Sequence, residues 1–277
     1  MASMRAWRIC WVALLLGVSV QAGFEGITCL DWSPAGDKLL LASAGALYLG
    51  KAPTAQGAYR LTPENAWVTW GRFGPDGEWY IYATPAEEGY ILWKGFLEER
   101  EPEELLSSPY PIRQPTVSPD GHWVAFVGEK SGQPDLFLLD LESGKLTRLT
   151  ATPFEEACPD FSPDGETLVF VGLWNPDGGS WDLFTVDIET GDIQQLTEDP
   201  FFDWYPRFSP DGEWIAFESN RSGLSDIYVV RKDGSDLTPF TYDEWRDAFP
   251  AWSPDGEEIA YAQRKPSGWV ILAEGTY

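Results

Sequence analysis

Histidine is almost absent from this chain of 277 residues, which contains one, His122. A Ser-His-Asp triad needs a histidine held between a carboxylate and a nucleophile, and histidine-rich zinc or manganese sites need several imidazoles. His122 follows the tip of a predicted surface turn, and no Gly-x-Ser-x-Gly nucleophile motif occurs. The sequence therefore favours a protein that is not an enzyme, and it predicts no catalytic residue and no metal site.

Basic residues are also scarce. The chain has 19 lysines and arginines against 44 aspartates and glutamates, a formal charge of −25. Nucleic-acid binding needs a basic surface, so this balance excludes a nucleic-acid partner. The acidity indicates a soluble, solvated surface in the first place, and otherwise a partner, metal or peptide that carries positive charge. The partner that we predict is a protein or peptide in the cell envelope.

The apolar run that stands out lies near the N-terminus, from Ile9 to Val20, and it is too short to favour a membrane span. Arg5 and Arg8 precede it, and Val20-Gln21-Ala22 resembles a signal-peptidase site. We therefore predict a signal peptide over residues 1–22, a single domain over residues 23–277, and a periplasmic or secreted protein with no membrane span after the signal is removed.

One four-residue turn recurs six times, at intervals of 41 to 47 residues. The six copies are Ser33-Pro34-Ala35-Gly36, Gly74-Pro75-Asp76-Gly77, Ser118-Pro119-Asp120-Gly121, Ser162-Pro163-Asp164-Gly165, Ser209-Pro210-Asp211-Gly212 and Ser253-Pro254-Asp255-Gly256. Proline presets φ for the turn and glycine accepts a positive φ at its exit. This period is that of a four-stranded propeller blade. The chain is therefore predicted to be all-β, a six-bladed propeller of four-stranded antiparallel blades.

The sixth repeat ends after its third strand, near Trp269 to Ala273. The spacing of the repeats would place the missing fourth strand at Gly17 to Gln21, inside the predicted signal peptide. The last blade is therefore either incomplete or closed by an N-terminal strand. An incomplete blade would expose a strand edge, so we expect a monomer or an assembly paired through that edge.

Three cysteines are present, and Cys10 lies in the predicted signal peptide. Cys29 and Cys158 each stand four residues before a turn, in the first and fourth repeats. These repeats lie opposite each other in a six-bladed ring, farther apart than the ~7 Å between Cα atoms that a disulfide allows. We predict two unpaired, buried thiols.

The repeat resembles the TolB-like propeller family. The resemblance rests on the Ser-Pro-Asp-Gly turns and the apolar strand after each, on Ser219-Asn220-Arg221-Ser222-Gly223 with Asp226-Ile227-Tyr228, and on the closing Leu-Thr pairs, and it covers residues 27 to 277. It implies the six-bladed fold and says little about function, because related blades occur in periplasmic TolB, in peptidase propellers and in polysaccharide lyases.

The candidate binding site lies on the face that carries the loops between fourth and first strands. Aromatic residues mixed with charged ones in these loops are typical of protein interfaces. The predicted site residues are Glu156, Asp203, Trp204, Tyr205, Trp245, Arg246 and Asp247, joined by Asp31, Arg72, Asp160 and Arg207, which share one offset in the inner strands. We interpret the protein as an exported, non-enzymatic scaffold that binds a protein or peptide there.

Two alternatives stay open. The acids can satisfy buried backbone amides while the aromatic rings pack beneath the loops. The chain can also be a carboxylate-dependent hydrolase or lyase acting on a peptide or polysaccharide, with Glu156 and Asp160, or Asp203 and Asp247, as acid and base. No cofactor is predicted; calcium at Asn175-Pro176-Asp177-Gly178 is a weaker idea, because that sequence also fits a plain turn.

Overall fold

The computed structural model describes residues 26–98, 100–130, 132–173 and 179–276. In these ranges the chain forms 23 strands in six antiparallel sheets, and it contains no helix. Each sheet is one blade, and its strands follow one another in sequence order. The first strand of each blade lies innermost.

Each blade is defined by the bounds of its strands. Blade one contains β1 (Ile27–Trp32), β2 (Lys38–Ser43), β3 (Ala46–Lys51) and β4 (Gln56–Arg60). Blade two contains β5 (Gly71–Phe73), β6 (Trp79–Ala86), β7 (Gly89–Phe96) and β8 (Glu103–Ser108). Blade three contains β9 (Ile112–Val117), β10 (Trp123–Gly128), β11 (Asp135–Asp140) and β12 (Leu146–Arg148). Blade four contains β13 (Glu156–Phe161), β14 (Thr167–Leu173), β15 (Trp181–Asp187) and β16 (Ile193–Gln195). Blade five contains β17 (Asp203–Phe208), β18 (Trp214–Ser219), β19 (Asp226–Arg231) and β20 (Thr238–Pro239). Blade six contains β21 (Arg246–Trp252), β22 (Glu258–Lys265) and β23 (Gly268–Gly275).

The recurring turn joins the first and second strands of each blade. In blade four the Ser162 hydroxyl accepts a hydrogen bond from the Thr167 amide at 3.0 Å, and Asp164 Oδ1 accepts one from the Glu166 amide at 3.0 Å. Gly165 has φ +77°, where a side chain would be strained. Each residue of the motif thus satisfies one requirement of the hairpin, which explains why the sequence repeats it.

The closing threonine fixes the short outer strand. The Thr150 hydroxyl accepts a hydrogen bond from the Leu136 amide at 3.0 Å, and Thr62, Thr197 and Thr241 do the same in their blades. Outer strands of two or three residues form few ladder bonds, so this side-chain bond holds the end of each one against the third strand.

The ring closes between blades six and one. A methyl group built on Gly36 of blade one would lie 3.8 Å from Pro254 of blade six, and each later turn glycine stands in the same way against the proline of the preceding blade. β1 and β2 also share a buried apolar cluster with β21 and β22. The predicted six-bladed propeller is therefore confirmed.

Large side chains pack between the blades, as the repeat predicts. One recurs at the same position of every second strand, and all six are buried: Leu41, Tyr82, Phe126, Phe170, Phe217 and Tyr261. Removing such side chains from water supplies most of the driving force for folding.

Blade six has three strands among the described residues, as the shortened sixth repeat predicts. The predicted closing strand at 17–21 and the predicted signal peptide at 1–22 lie outside the described residues. Within the described ranges no helix has the length and hydrophobicity needed to cross a membrane.

Candidate functional site

The two faces of the propeller differ in their exposed aromatic side chains. We call the face with the fourth-to-first and second-to-third strand loops the upper face, and the face with the recurring turns the lower face. Ten large apolar residues are exposed in the described chain, and six of them are in upper-face loops: Trp67, Tyr110, Phe201, Phe202, Leu224 and Tyr242. The other four are on or next to outer strands. Acidic residues occur on both faces, so aromatic exposure is what distinguishes the upper one.

The central channel is closed by six side chains. They stand four residues before each turn and are Cys29, Trp70, Gln114, Cys158, Tyr205 and Phe249. Trp70 and Tyr205, from opposite blades, stack with their ring centroids 5.8 Å apart, and Tyr205 meets Phe249 at 4.5 Å. The channel is therefore plugged, and a ligand approaching from the upper face meets aromatic rings.

A backbone irregularity accompanies this plug. Gln114, Cys158, Tyr205 and Phe249 have φ between +50° and +56°, and the strand register shifts in the same segments. Such bulges turn a side chain away from the alternation of a regular strand. The bulge, with its positive φ, directs these four residues into the channel.

A buried charged layer lies between the plug and the lower face. Arg207 Nη2 is 2.6 Å from Asp31 Oδ1, and Arg207 Nε is 3.2 Å from Asp160 Oδ1. The amides of Phe73 and Phe208 donate to the other oxygens of the two aspartates. The structure therefore brings Asp31, Asp160 and Arg207 together, but it does so beneath the plug. There the two acids pair with the arginine and accept hydrogen bonds from buried backbone amides, as the first alternative from the sequence predicts.

Arg72, the fourth residue at that offset, also points inward. Its Nη1 lies 2.8 Å from Cys29 Sγ and 3.2 Å from the Leu30 carbonyl oxygen, and its guanidinium is 4.5 Å from the centroid of the Trp70 ring. Arg72 is buried beneath the aromatic plug. It is thus separated from the upper face in the same way as Arg207.

Glu156, Asp203 and Asp247 each stand six residues before the turn of their blade, in the inner strands of blades four, five and six, and all three are buried. Each has different partners. Glu156 accepts from the Leu136 amide at 3.0 Å, Asp203 accepts two bonds from Arg221 at 2.9 and 3.0 Å, and Asp247 accepts from Gln263 at 2.9 Å. The hydrogen bonds join neither Glu156 to Asp160 nor Asp203 to Asp247, so neither acid–base pair of the enzyme alternative is assembled through them.

One group of carboxylates comes close enough to suggest a metal. Oxygen atoms of Asp182, Asp199 and Asp203 lie within 4.8 Å of one another. Arg221 Nη2 stands 3.2 Å from Asp199 and 2.9 Å from Asp203, so a guanidinium already pairs with two of the three carboxylates. Burial raises the pKa of Asp182 to about 6, and the neighbouring charges add to that rise. We assign the group to internal ion pairing. The calcium idea at 175–178 falls outside the described residues.

The aromatic site residues form part of a larger cluster on the upper side. Trp204 lies 4.4 Å from Trp181 and 5.8 Å from Tyr205, measured between ring centroids. Trp204, Tyr205 and Trp245 are half-buried, and the side chain of Arg246 is 53% exposed. The predicted aromatic residues are therefore partly accessible and partly packed.

Sequence reasoning missed Glu218, a buried acid in the second strand of blade five. Glu218 is 4% exposed, and its Oε1 atom accepts a hydrogen bond from Arg246 Nη2 at 3.0 Å. Oε2 has no hydrogen-bond partner. Aligning the repeats would have found it, because the same position holds an apolar residue in the five other blades: Ala42, Ala83, Val127, Val171 and Ala262.

The two thiols are free and buried, as predicted. Burial raises the pKa of Cys29, and it raises the pKa of Cys158 to about 12, so little reactive thiolate forms near neutral pH. We expect iodoacetamide at pH 8 to modify neither residue in the folded chain and both after denaturation, as read by mass spectrometry of their peptides. Rapid modification of the folded chain, or a Cys29–Cys158 disulfide, would contradict this.

Together the closed ring, the plugged channel and the aromatic upper face define a six-bladed β-propeller without a through-channel. The TolB beta propeller domain matches residues 97–275, and the chain belongs to this family.

Solved structures of the same fold have low sequence identity. Putative TolB from Agrobacterium tumefaciens is 22% identical with a TM-score of 0.55, covering 91% of this chain and 78% of that one. TolB from Acinetobacter baumannii is 23% identical with a TM-score of 0.65, covering 86% of this chain and 63% of that one. An oligogalacturonate lyase in complex with manganese is 14% identical with a TM-score of 0.61, covering 92% and 90%. These likenesses show the fold alone. By sequence, no curated protein matches the chain.

Proposed function

We propose that this protein is an exported, non-enzymatic scaffold that binds a protein or peptide on its upper face. The observation that carries the proposal is the concentration of exposed aromatic rings in the upper-face loops. Aromatic residues supply large contact area and dominate the binding energy of protein interfaces. A periplasmic or secreted location, inferred from residues 1–22, would place this face among envelope or extracellular partners.

The enzyme alternative has weaker support. A lyase shares the fold, but that likeness is one of fold only. The carboxylates proposed as acid and base have separate partners, and the plug of Trp70, Tyr205 and Phe249 closes the channel in which a substrate would bind. A binding role on the upper face needs neither a paired acid and base nor an open channel.

We expect the triple variant Trp67→Ala, Phe202→Ala, Tyr242→Ala to lose its partner. These rings are 63%, 43% and 77% exposed, so their removal should leave the fold intact. Removing one interface aromatic costs on the order of 1–2 kcal/mol, so three should weaken binding more than about a hundredfold. The measurement is crosslinking capture from the native envelope, with the mature chain as bait.

The matched control is Tyr59→Ala, which removes a ring that is 56% exposed on the outer strand β4. Capture of one partner by the wild type and the control, with loss in the triple variant, supports the upper face. Equal capture by all three chains would place the interface elsewhere. Capture by none of them would contradict the scaffold proposal.

A further inference from the structure

Glu218 occupies a position that the propeller reserves for small apolar side chains. The ninth residue after the first turn residue is alanine or valine in the five other blades, and it is buried or half-buried in each. A carboxylate at such a position is unfavourable unless it is paired and hydrogen-bonded. Departures from a local sequence rule of this kind are expected at functional or strained sites.

The pairing of Glu218 is incomplete. Arg246 Nη2 donates to Oε1 at 3.0 Å from the neighbouring blade, and Oε2 lacks a partner. Burial raises the pKa of Glu218, whereas the Arg246 charge and hydrogen bonding from the Ser225 hydroxyl and from Arg246 lower it. The geometry still leaves Oε2 without a hydrogen-bond partner. The carboxylate therefore keeps the capacity to accept a further strong donor.

Arg246 is a weakly held partner. Its side chain is 53% exposed, whereas that of Glu218 is 5% exposed, and a single nitrogen–oxygen contact joins them. A guanidinium can form two parallel bonds to a carboxylate, which is the stronger arrangement. The geometry leaves Arg246 free to move into solvent without disturbing a packed core.

Aromatic residues lie beside this carboxylate, because Trp204 pairs with Glu218 across strands β17 and β18 and Tyr205 follows Trp204 in the chain. The charges of Glu218 and Arg246 also act on the Tyr205 hydroxyl, whose pKa is raised mainly by burial. Tyr205 contacts Phe249 at 4.5 Å and Trp204 at 5.8 Å between ring centroids. A carboxylate next to aromatic faces is the combination that favours a lysine or arginine side chain, by charge and by cation–π attraction.

We propose that Glu218 and Tyr205 form a subsite for a cationic side chain of the bound partner, and that Arg246 occupies this subsite in the free protein. The inference rests on the proposed binding function of the upper face. Charge complementarity agrees with it, because the described upper-face loops carry nine acidic and two basic residues. The partner segment is therefore basic. On binding, its cationic side chain replaces the Arg246 guanidinium beside the Glu218 carboxylate.

The test uses two dye-labelled peptides, tri-arginine and tri-citrulline, which differ in charge but hardly in shape. Binding to the folded chain is measured by fluorescence anisotropy. We expect the wild type to prefer tri-arginine by about tenfold, and Glu218→Gln to lose that preference, because the neutral amide removes the charge-assisted bond. Arg246→Met, which keeps an aliphatic stem, should bind tri-arginine several-fold more tightly because the internal competitor is gone.

Glu244→Gln is the matched control, since it removes the same charge from an exposed residue of the same face. It should change the affinity by less than about twofold at 0.15 M salt, where exposed charges are screened. A Glu218→Gln chain that binds tri-arginine as the control does, or a wild type that binds both peptides equally, would overturn the subsite. The Glu218→Gln comparison decides the question alone if Arg246→Met does not fold.

The subsite and the proposed function fail in different ways. If the aromatic triple variant loses the partner while Glu218→Gln retains it fully, the upper face binds but the subsite is wrong. If Glu218→Gln also weakens capture, both inferences stand. Equal capture by the triple variant, the control and the wild type would remove the proposed function itself.

Discussion

Arg207→Ala is expected to lower the free energy of unfolding by about 3–5 kcal/mol, the usual consequence of removing one partner from a buried ion pair. Arg207 is the cation between Asp31 and Asp160, at 2.6 and 3.2 Å, and it also donates to the Leu30 carbonyl oxygen at 3.1 Å. Its side chain is 14% exposed. Without it, two carboxylates in the channel face each other with little access to water.

Urea unfolding at pH 7 measures this loss, and Arg113→Ala provides the control. Arg113 also lies in an inner strand, β9, and pairs with Glu129 at 2.7 Å, but its side chain is 54% exposed. Exposed pairs contribute about 0–1 kcal/mol, so the control should change little. Adding Asp31→Asn and Asp160→Asn to Arg207→Ala should recover part of the loss. Equal effects of the two arginine substitutions would contradict a buried charged layer.

The sequence predicts the architecture because each blade is determined locally. Serine, aspartate and glycine of one turn each supply a separate contact, as at Ser162, Asp164 and Gly165, and the closing threonine adds another. The blade therefore repeats wherever its motif repeats. The three strands that blade six shows among the described residues follow by the same reasoning, because the sixth repeat contains the sequence of three.

The candidate site is harder to predict because strand alternation fails in the inner strands. Bulges at Cys158 and Tyr205 turn these side chains into the channel, and they place Asp160 and Arg207 beneath the plug. Sequence spacing can show that residues share a position in the repeat, but not on which side of the plug that position lies. The exposure of Trp67 and Tyr242 likewise depends on how each loop folds over its neighbours.

One position near the start of the inner strand, at the junction between successive blades, carries a buried acid in blades four, five and six. The three carboxylates at this position have different hydrogen-bond donors. The acid that stands six residues before the turn accepts hydrogen bonds from hydroxyl and amide donors at Glu156, and from Arg221 at Asp203. At Asp247 the donor is the neutral amide of Gln263, and no arginine or lysine forms an ion pair with this acid in the described part of the chain. This acid therefore has no matching cation among the described residues, and burial raises its pKa.

Asp247→Asn is expected to remove a pH dependence of stability that the wild type shows between about pH 4 and pH 7. Burial raises the pKa of Asp247 to about 7; Thr241 and Gln263 oppose that rise, and Asp243 and Asp226 add to it. An unfolded aspartate titrates near 3.9, so the folded state binds more protons across this window and its free energy of unfolding falls as pH rises. A difference of about three units corresponds to about 4 kcal/mol at most.

Urea unfolding of the wild type and of Asp247→Asn, at intervals from pH 4 to pH 8, isolates this contribution as the difference between two curves. The two proteins should be similar near pH 4, where Asp247 is protonated in the folded state. By pH 7 to 8 the variant should be more stable by up to about 4 kcal/mol, because its amide has no charge to bury. Glu257→Gln, an exposed acid of the lower face, should follow the wild-type curve. Parallel curves for wild type and Asp247→Asn would mean that the Asp247 carboxylate is stabilised in its charged form, and a cation at the last junction would then have to supply that stabilisation.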